Sequence, residues 1–142
     1  MIRPLLRADE HEADRLFDLM VDMDYPHIAD HEDKLEYAVM FRCMNEDATA
    51  GYFWFYRLEE FHDKYAMHAI VKPEYQSRFF SRTLLTTVFN LLWAVGASKI
   101  VVEYDYQDLA IRLGGSETDL GVEINLPFKW RSRHVKSNSQ SC

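Results

Sequence analysis

The sequence predicts an α+β fold, a mixed β-sheet with helices packed on it, from three features of its 142 residues. Apolar side chains alternate with a period of two through 35–44, the signature of a strand half-buried on a core, and GYFWFYRL at 51–58 and KYAMHAIV at 64–71 read as two further strands, the first aromatic on both faces. Apolar side chains recur at helical spacing through roughly 10–23 and 80–95. KIVVEY at 99–104 reads instead as a strand buried on both faces, as parallel strands are. With 48% of the chain hydrophobic, there is material for one sizeable core and not for two ordinary domains. One domain over 1–128, followed by a basic tail at 129–142, is the expected division.

The elements follow in order. Ile2 to Leu6 is a short apolar run, and Asp9 with Glu12 three residues later has the form of an N-cap and capping box. Ala13, Leu16, Phe17 and Met20 then form one face of a helix that Tyr25-Pro26 ends. HIADHEDK has room for a second short helix. Leu35, Tyr37, Val39, Phe41 and Cys43 share one face of a predicted strand, with Glu36 and Arg42 on the other. NEDATAG supplies turn residues, and GYFWFYRL returns as the second arm of a hairpin. KYAMHAIV is a third long strand, ending at Lys72-Pro73. Leu84, Leu85, Val88, Leu91, Leu92 and Val95 mark a buried helix face, with Gly96 as its C-cap. After KIVVEY, QDLAIRL makes a short helix stopped by Gly114-Gly115, and VEINLPF is the last strand. Because Tyr52, Trp54 and Tyr56 fall on one face of their strand and Phe53 and Phe55 on the other, both faces need cover. Helices are expected on one and a second copy of the chain, or the chain's own tail, on the other.

Charge narrows the partners. A net charge of −7 opposes phosphate backbones, so no nucleic-acid partner is expected. No apolar stretch has the length of a membrane span and MIRPLLRADE lacks the features of a leader, so no membrane partner and a cytoplasmic location are expected. Cys43 and Cys142 are the only cysteines, and no disulfide is expected. Lys129, Arg131, Arg133 and Lys136 make the tail basic; it reads as a solvated terminus or as an arm that docks on an acidic neighbour with Trp130 as apolar anchor. His27 and His31 are spaced as a metal half-site would be on a helix, but the segment reads more simply as a solvated helix surface, and no metal is expected.

VKPEYQSRFFSRTLL, residues 71–85, resembles the motif of the GNAT superfamily of acyl-CoA-dependent N-acyltransferases, Val-x-Pro-x-Tyr/Phe-Arg/Gln-x-x-Gly-x-Gly/Ala-x-x-Leu-Leu. Val71, Pro73, Tyr75, Gln76, Leu84 and Leu85 match without a gap, while Phe79 and Ser81 stand at the two small-residue positions. The order of elements resembles that superfamily over nearly the whole chain. The resemblance implies a mixed sheet whose central strands, 66–71 and 99–104, splay apart to admit acetyl-CoA or another acyl-CoA. Its pyrophosphate would lie on the strand-helix loop, where a helix N-terminus offers unpaired N–H groups. The cofactor site carried over in this way comprises Ile70, Val71, Gln76, Ser77, Arg78, Phe79, Ser81 and Arg82, with the two arginines as phosphate partners.

Transfer to an amine needs a base, an oxyanion donor and an acid for the departing thiolate. The tyrosine that often supplies the acid is replaced by Ala110, leaving Tyr104 or Tyr106 as substitutes. Glu103, expected to be buried among apolar residues with a raised pKa, is the carboxylate candidate for the base. Tyr65 and Met67 match positions where relatives place a base, and strand parity is read as pointing them to the acceptor side, with His68 on the helix side as a satisfied core histidine. Two classes follow: an N-acyltransferase acting on a small-molecule or protein amine, cationic by steering from the acidic surface, or a catalytically inactive module on the same fold. Degenerate chains of the second kind occur among bacteriophage internal virion proteins, for which a virion partner and location would follow.

Overall fold

The computed structural model describes residues 2–6 and 11–130. Seven strands form one sheet in the order β1-β2-β3-β4-β5-β7-β6. They are β1 (Ile2–Leu6), β2 (Val39–Asn45), β3 (Ala48–Arg57), β4 (Lys64–Val71), β5 (Lys99–Val102), β6 (Ser116–Thr118) and β7 (Gly121–Asn125). The helices are α1 (Glu12–Asp22), α2 (Arg82–Ala94) and α3 (Gln107–Arg112), with single 3-10 turns at Ile28–Asp30, Leu35–Tyr37 and Pro73–Tyr75. Among the described residues only the β4–β5 pairing is parallel, and α2 makes that crossover.

The aromatic hairpin sits between two cores. Phe53 and Phe55 join Phe41, Met67, Ala69, Val71 and Ile100 on the face covered by Leu84, Leu85, Val88, Phe89 and Leu92 of α2. Tyr52 and Trp54 join Met40 and Ile70 on the opposite face, under Leu16 and Met20 of α1. Each fully buried large apolar side chain contributes on the order of 2–3 kcal/mol. Both faces of β3 are thus covered within one chain, and the aromatic hairpin supplies no argument for self-association. A buried carboxylate fastens α1 to the sheet: Glu12 meets Arg42 of β2 at 3.1 Å and accepts a hydrogen bond from the Tyr52 hydroxyl of β3 at 3.0 Å.

Several boundaries differ from expectation. Residues 35–37 are a 3-10 turn rather than the start of a strand, because Leu35 turns into the α1 core while Tyr37 is left exposed, which strand geometry at those positions would not give. β5 ends at Val102, and β6 is a short exposed strand with no apolar pattern to announce it. The Asp9 cap lies outside the described residues, as do Arg131, Arg133 and Lys136 of the basic tail. Trp130 lies on its own domain: its indole N–H donates to the Thr86 hydroxyl of α2, and its ring sits 5.0 Å from Phe128. Among the described residues, no helix is long and apolar enough to cross a membrane.

Candidate acyl-transfer cleft

β4 and β5 pair only at Lys64–Lys99, Tyr65–Ile100 and Ala66–Val101. That end is fastened. The Ser98 and Lys99 amides both donate to the Asp63 carbonyl, at 2.8 and 3.2 Å. Lys64 and Lys99 both reach the Glu123 carboxylate, at 3.3 and 3.7 Å. Past Ala66, β4 keeps its antiparallel partner β3 as far as Gly51–Val71, yet among the described residues no strand pairs its other edge. A row of backbone N–H and C=O groups is left open in mid-sheet, where such groups are costly unless something hydrogen-bonds to them. This is the splay.

A cleft of about 900 Å³ meets the sheet beside this gap, its floor formed by residues 66–69 of β4 and its rim by 103–106 after β5. Aromatic rings dominate the floor. His68 stacks on Trp54 with ring centroids 5.5 Å apart, and meets His31 edge-on at 4.8 Å. Trp54 Nε1 donates to the Tyr56 hydroxyl at 3.1 Å, and that hydroxyl lies 2.7 Å from His31 Nδ1. Because Trp54 fills an acceptor position on Tyr56, the arrangement that satisfies all three groups has Tyr56 donating to His31 Nδ1, with the His31 proton on Nε2. Tyr25 closes the set, 5.8 Å from His31 and 5.6 Å from Trp54. Burial pushes the His68 imidazole down to about 4, with His31 and Lys34 adding to the fall. Burial likewise lowers His31, and Lys34 adds to it. The floor is therefore neutral at neutral pH.

The structure redistributes the residues singled out in the sequence. Glu103 lines the cleft but is exposed just beyond β5, not buried among apolar residues, because the strand ends one residue before it. Tyr104 is 77% exposed on the same rim. Tyr106 lines the cleft at φ +70°, and its ring lies 4.9 Å from Phe80, across the mouth of the strand gap. Burial raises its phenol, with Asp105 adding to the shift. Tyr65 lies elsewhere: it packs against the α2 core with Met67 on the same strand face, while His68 points to the α1 face and into the cleft. The assumed parity is thus inverted. The register Trp54↔His68 and Tyr52↔Ile70 puts His68 beside the ring of Trp54, and Trp54 belongs to the α1 face.

The strand-helix loop is compact. Gln76 and Arg78 N–H groups turn back to the Pro73 and Tyr75 carbonyls, and the Ser81 hydroxyl caps α2 by accepting from the Leu84 amide at 3.2 Å. Gln76, Ser77, Arg78 and Arg82 are exposed. Arg78 lies over the Tyr75 ring at 5.2 Å and Arg82 over Trp130 at 4.7 Å. Phe79, by contrast, is 0% exposed. Its ring stacks on Phe53 at 5.1 Å, so this side chain belongs to the core and only its backbone faces the loop. Ile70 and Val71 are buried on opposite faces; the backbone groups of Ile70 turn to β3, and those of Val71 lie at the C-terminal end of the open β4 edge.

The joint place of Tyr25, His31 and Tyr56 in the cleft floor escaped sequence reasoning, which weighed His31 only against a metal half-site and Tyr56 only as a strand residue needing cover. The available signal was the cluster YPHIADH after α1, two histidines and a tyrosine in a segment too short to bury itself.

Comparison of the whole structure with solved proteins gives the same architecture. A GNAT-family acetyltransferase from Brucella melitensis, solved in complex with acetyl-CoA, superposes with a TM-score of 0.63 at 14% identity, covering 91% of each chain. A GNAT-family acetyltransferase from Staphylococcus aureus Mu50 gives 0.61 at 14% identity, over 84% of this chain and 87% of that one. A dodecameric spermidine N-acetyltransferase from Vibrio cholerae gives 0.58 at 14% identity, over 88% and 92%. No protein-family model and no curated protein matches the sequence. The chain has the GNAT fold, the acyl-CoA N-acyltransferase architecture of a mixed open sheet with flanking helices.

Proposed function

We propose that the protein transfers an acetyl or other acyl group from CoA to an amine held in the aromatic cleft. The observation that carries this reading is the open edge of β4 past Ala66. An extended, amide-bearing chain such as the pantetheine arm of acyl-CoA can pair with that edge as a strand would. The residues fit such a donor: Arg78 and Arg82 flank the loop for a pyrophosphate, and the N-terminus of α2 adds its partial positive charge. When bound, acyl-CoA supplies a thioester, whose carbonyl is open to attack by a neutral amine.

The chain's own groups have separable roles. Glu103, on the rim, takes the proton from the attacking nitrogen. The Val71 N–H of β4 donates to the carbonyl oxygen as negative charge develops there, because Ile70, like Lys72, turns its backbone groups to β3. Tyr106, whose burial keeps its phenol protonated, returns a proton to the leaving sulfur; Tyr104 lies near it on the same rim. The aromatic floor excludes water from the acceptor. Nitrogen gains the acyl carbon, the carbon–sulfur bond breaks, and the amine proton is balanced by the proton delivered to the thiolate.

A second reading is a binding module without catalysis, including a virion component. Two observations favour it: Phe79 fills the core at a small-residue position, and buried Ala110 stands where a catalytic tyrosine is common in the superfamily. Incubation of the full chain with acetyl-CoA and a mixture of primary amines, read by mass spectrometry, separates the two. N-acetylated product that disappears in Glu103→Gln and Tyr106→Phe supports transfer. Bound acetyl-CoA with no product supports the module.

A further inference from the structure

The floor and the rim of the cleft differ in chemistry. Tyr25, His31, Tyr56 and His68 form a continuous aromatic surface backed by fully buried Trp54, with neighbouring centroids 4.8–5.8 Å apart. Those spacings leave no slot for another ring between them, so a ligand ring lies against the surface. Among the described residues the floor itself holds no carboxylate to pair with a cation. Lys34 stands 5.9 Å from the centre of the Tyr56 ring, and both imidazoles are held neutral by burial. Carboxylates gather at the edge instead, where Asp30, Glu59, Glu103 and Asp105 outnumber Lys34 and Arg57.

Among the described residues the Tyr25 hydroxyl, His31 Nε2 and both ring nitrogens of His68 make no hydrogen bond, and of these only His68 presents a free acceptor nitrogen. The His31 Nδ1 and the Tyr56 hydroxyl are committed to each other. A neutral imidazole offers one donor and one acceptor, and a ligand bearing a phenol or an indole N–H can use the acceptor.

We propose that the acceptor is an arylalkylamine, its ring set against Tyr25, His31, Tyr56 and His68 with a polar substituent on His68, and its ammonium at the Glu103–Asp105 rim. The fate of that nitrogen rests on the acyl-transfer reading, but the recognition does not. A short alkyl spacer between ring and amine lets the neutral end lie on the floor and the charged end reach the carboxylates of the rim. An aliphatic polyamine would put charge or bare methylenes on the floor and leave His68 unsatisfied.

Calorimetric titration of the full chain tests the recognition without turnover, with tyramine, phenethylamine and spermidine as probes. Tyramine is expected to bind roughly five- to tenfold more tightly than phenethylamine, the worth of one hydrogen bond, and more tightly than spermidine. In His68→Leu the preference for tyramine over phenethylamine should vanish, with both weakened by the lost ring, and in Glu103→Gln all three should weaken; a melting curve of each variant checks that it is folded. Spermidine binding as tightly as tyramine, no binding of either aryl amine, or an undiminished tyramine preference in His68→Leu overturns the proposal. Acetyl-CoA binding and product formation are followed separately. Tyramine that binds but is never acetylated refutes transfer and leaves the recognition standing, whereas acetylation confined to aliphatic amines does the reverse.

Discussion

Phe79 decides whether the strand-helix loop is a hindered phosphate site or a site whose side chain has been absorbed into the core. The ring is completely buried and stacked on Phe53. Beneath it, Gly51 has no room for a side chain: a Cβ there would collide with the Ile70 carbonyl oxygen and come within 2.9 Å of Phe79 Cε1. Part of the wall around the Phe79 ring is therefore sheet backbone, which cannot collapse into the space that Phe79→Ala would create. Phe-to-Ala truncations cost about 3–5 kcal/mol, more where the surroundings relax least, and we expect about 4 kcal/mol here. Against a typical domain stability of roughly 5–15 kcal/mol this is a large fraction, and it should lower the melting temperature by roughly 10–15 °C. Urea unfolding followed by tryptophan fluorescence measures it, with acetyl-CoA affinity determined alongside and expected not to improve. A loss below about 1 kcal/mol, or tighter acetyl-CoA binding, would show that the ring shields an anion site rather than filling the core.

Three other perturbations follow from the same geometry. His68 titrates near 6.5 when unfolded and is pushed down to about 4 in the folded chain, so the unfolded state binds the extra proton between those values. Stability should therefore be fully present above pH 6.5 and fall by up to about 3 kcal/mol towards pH 4, and His68→Leu should flatten that part of a stability–pH curve. Glu12→Gln strips the charge that holds Arg42 and should cost about 2–4 kcal/mol in chemical denaturation, somewhat less than breaking a fully buried ion pair because the Arg42 side chain is 27% exposed. Ser81→Ala removes the α2 cap and should cost about 1 kcal/mol, whereas Ser81→Gly should cost only a few tenths.

The strands and helices were largely legible: β4 has the span of KYAMHAIV and α1 follows its marked face, while α2 buries Leu84, Leu85, Val88 and Leu92 as marked but adds Phe89 and leaves Leu91 and Val95 exposed near its C-terminal end. The motif at 71–85 pointed to the fold even with Phe79 and Ser81 in place of small residues, since Pro73, Tyr75 and the Leu84-Leu85 pair set the turn and the buried helix face. Local pattern failed where a neighbour decides. Leu35 continues an alternating series, yet its burial against α1 is reached through a 3-10 turn. His68 was assigned to the wrong face because parity within one strand fixes which residues share a face, not which face meets the cleft. That depends on the register with β3, where Trp54 is its partner. Glu103 was read as buried from the apolar run before it, but the run stops at Val102 and the chain turns out to solvent. The cleft floor draws on α1's following segment, β3 and β4, and no single stretch of sequence contains it.

The central claim is that the open edge of β4 and the loop after it receive an acyl-CoA. Isothermal titration of acetyl-CoA into the full chain, repeated with Arg78→Ala, tests it most directly. We predict saturable one-to-one binding accompanied by a rise in melting temperature, since a ligand held only by the folded state stabilises it. Arg78→Ala should weaken the affinity by roughly 1–3 kcal/mol, the range for a lost charge-assisted bond. No heat and no thermal shift at millimolar acetyl-CoA would contradict the account and leave the chain a binding module on an acyltransferase fold.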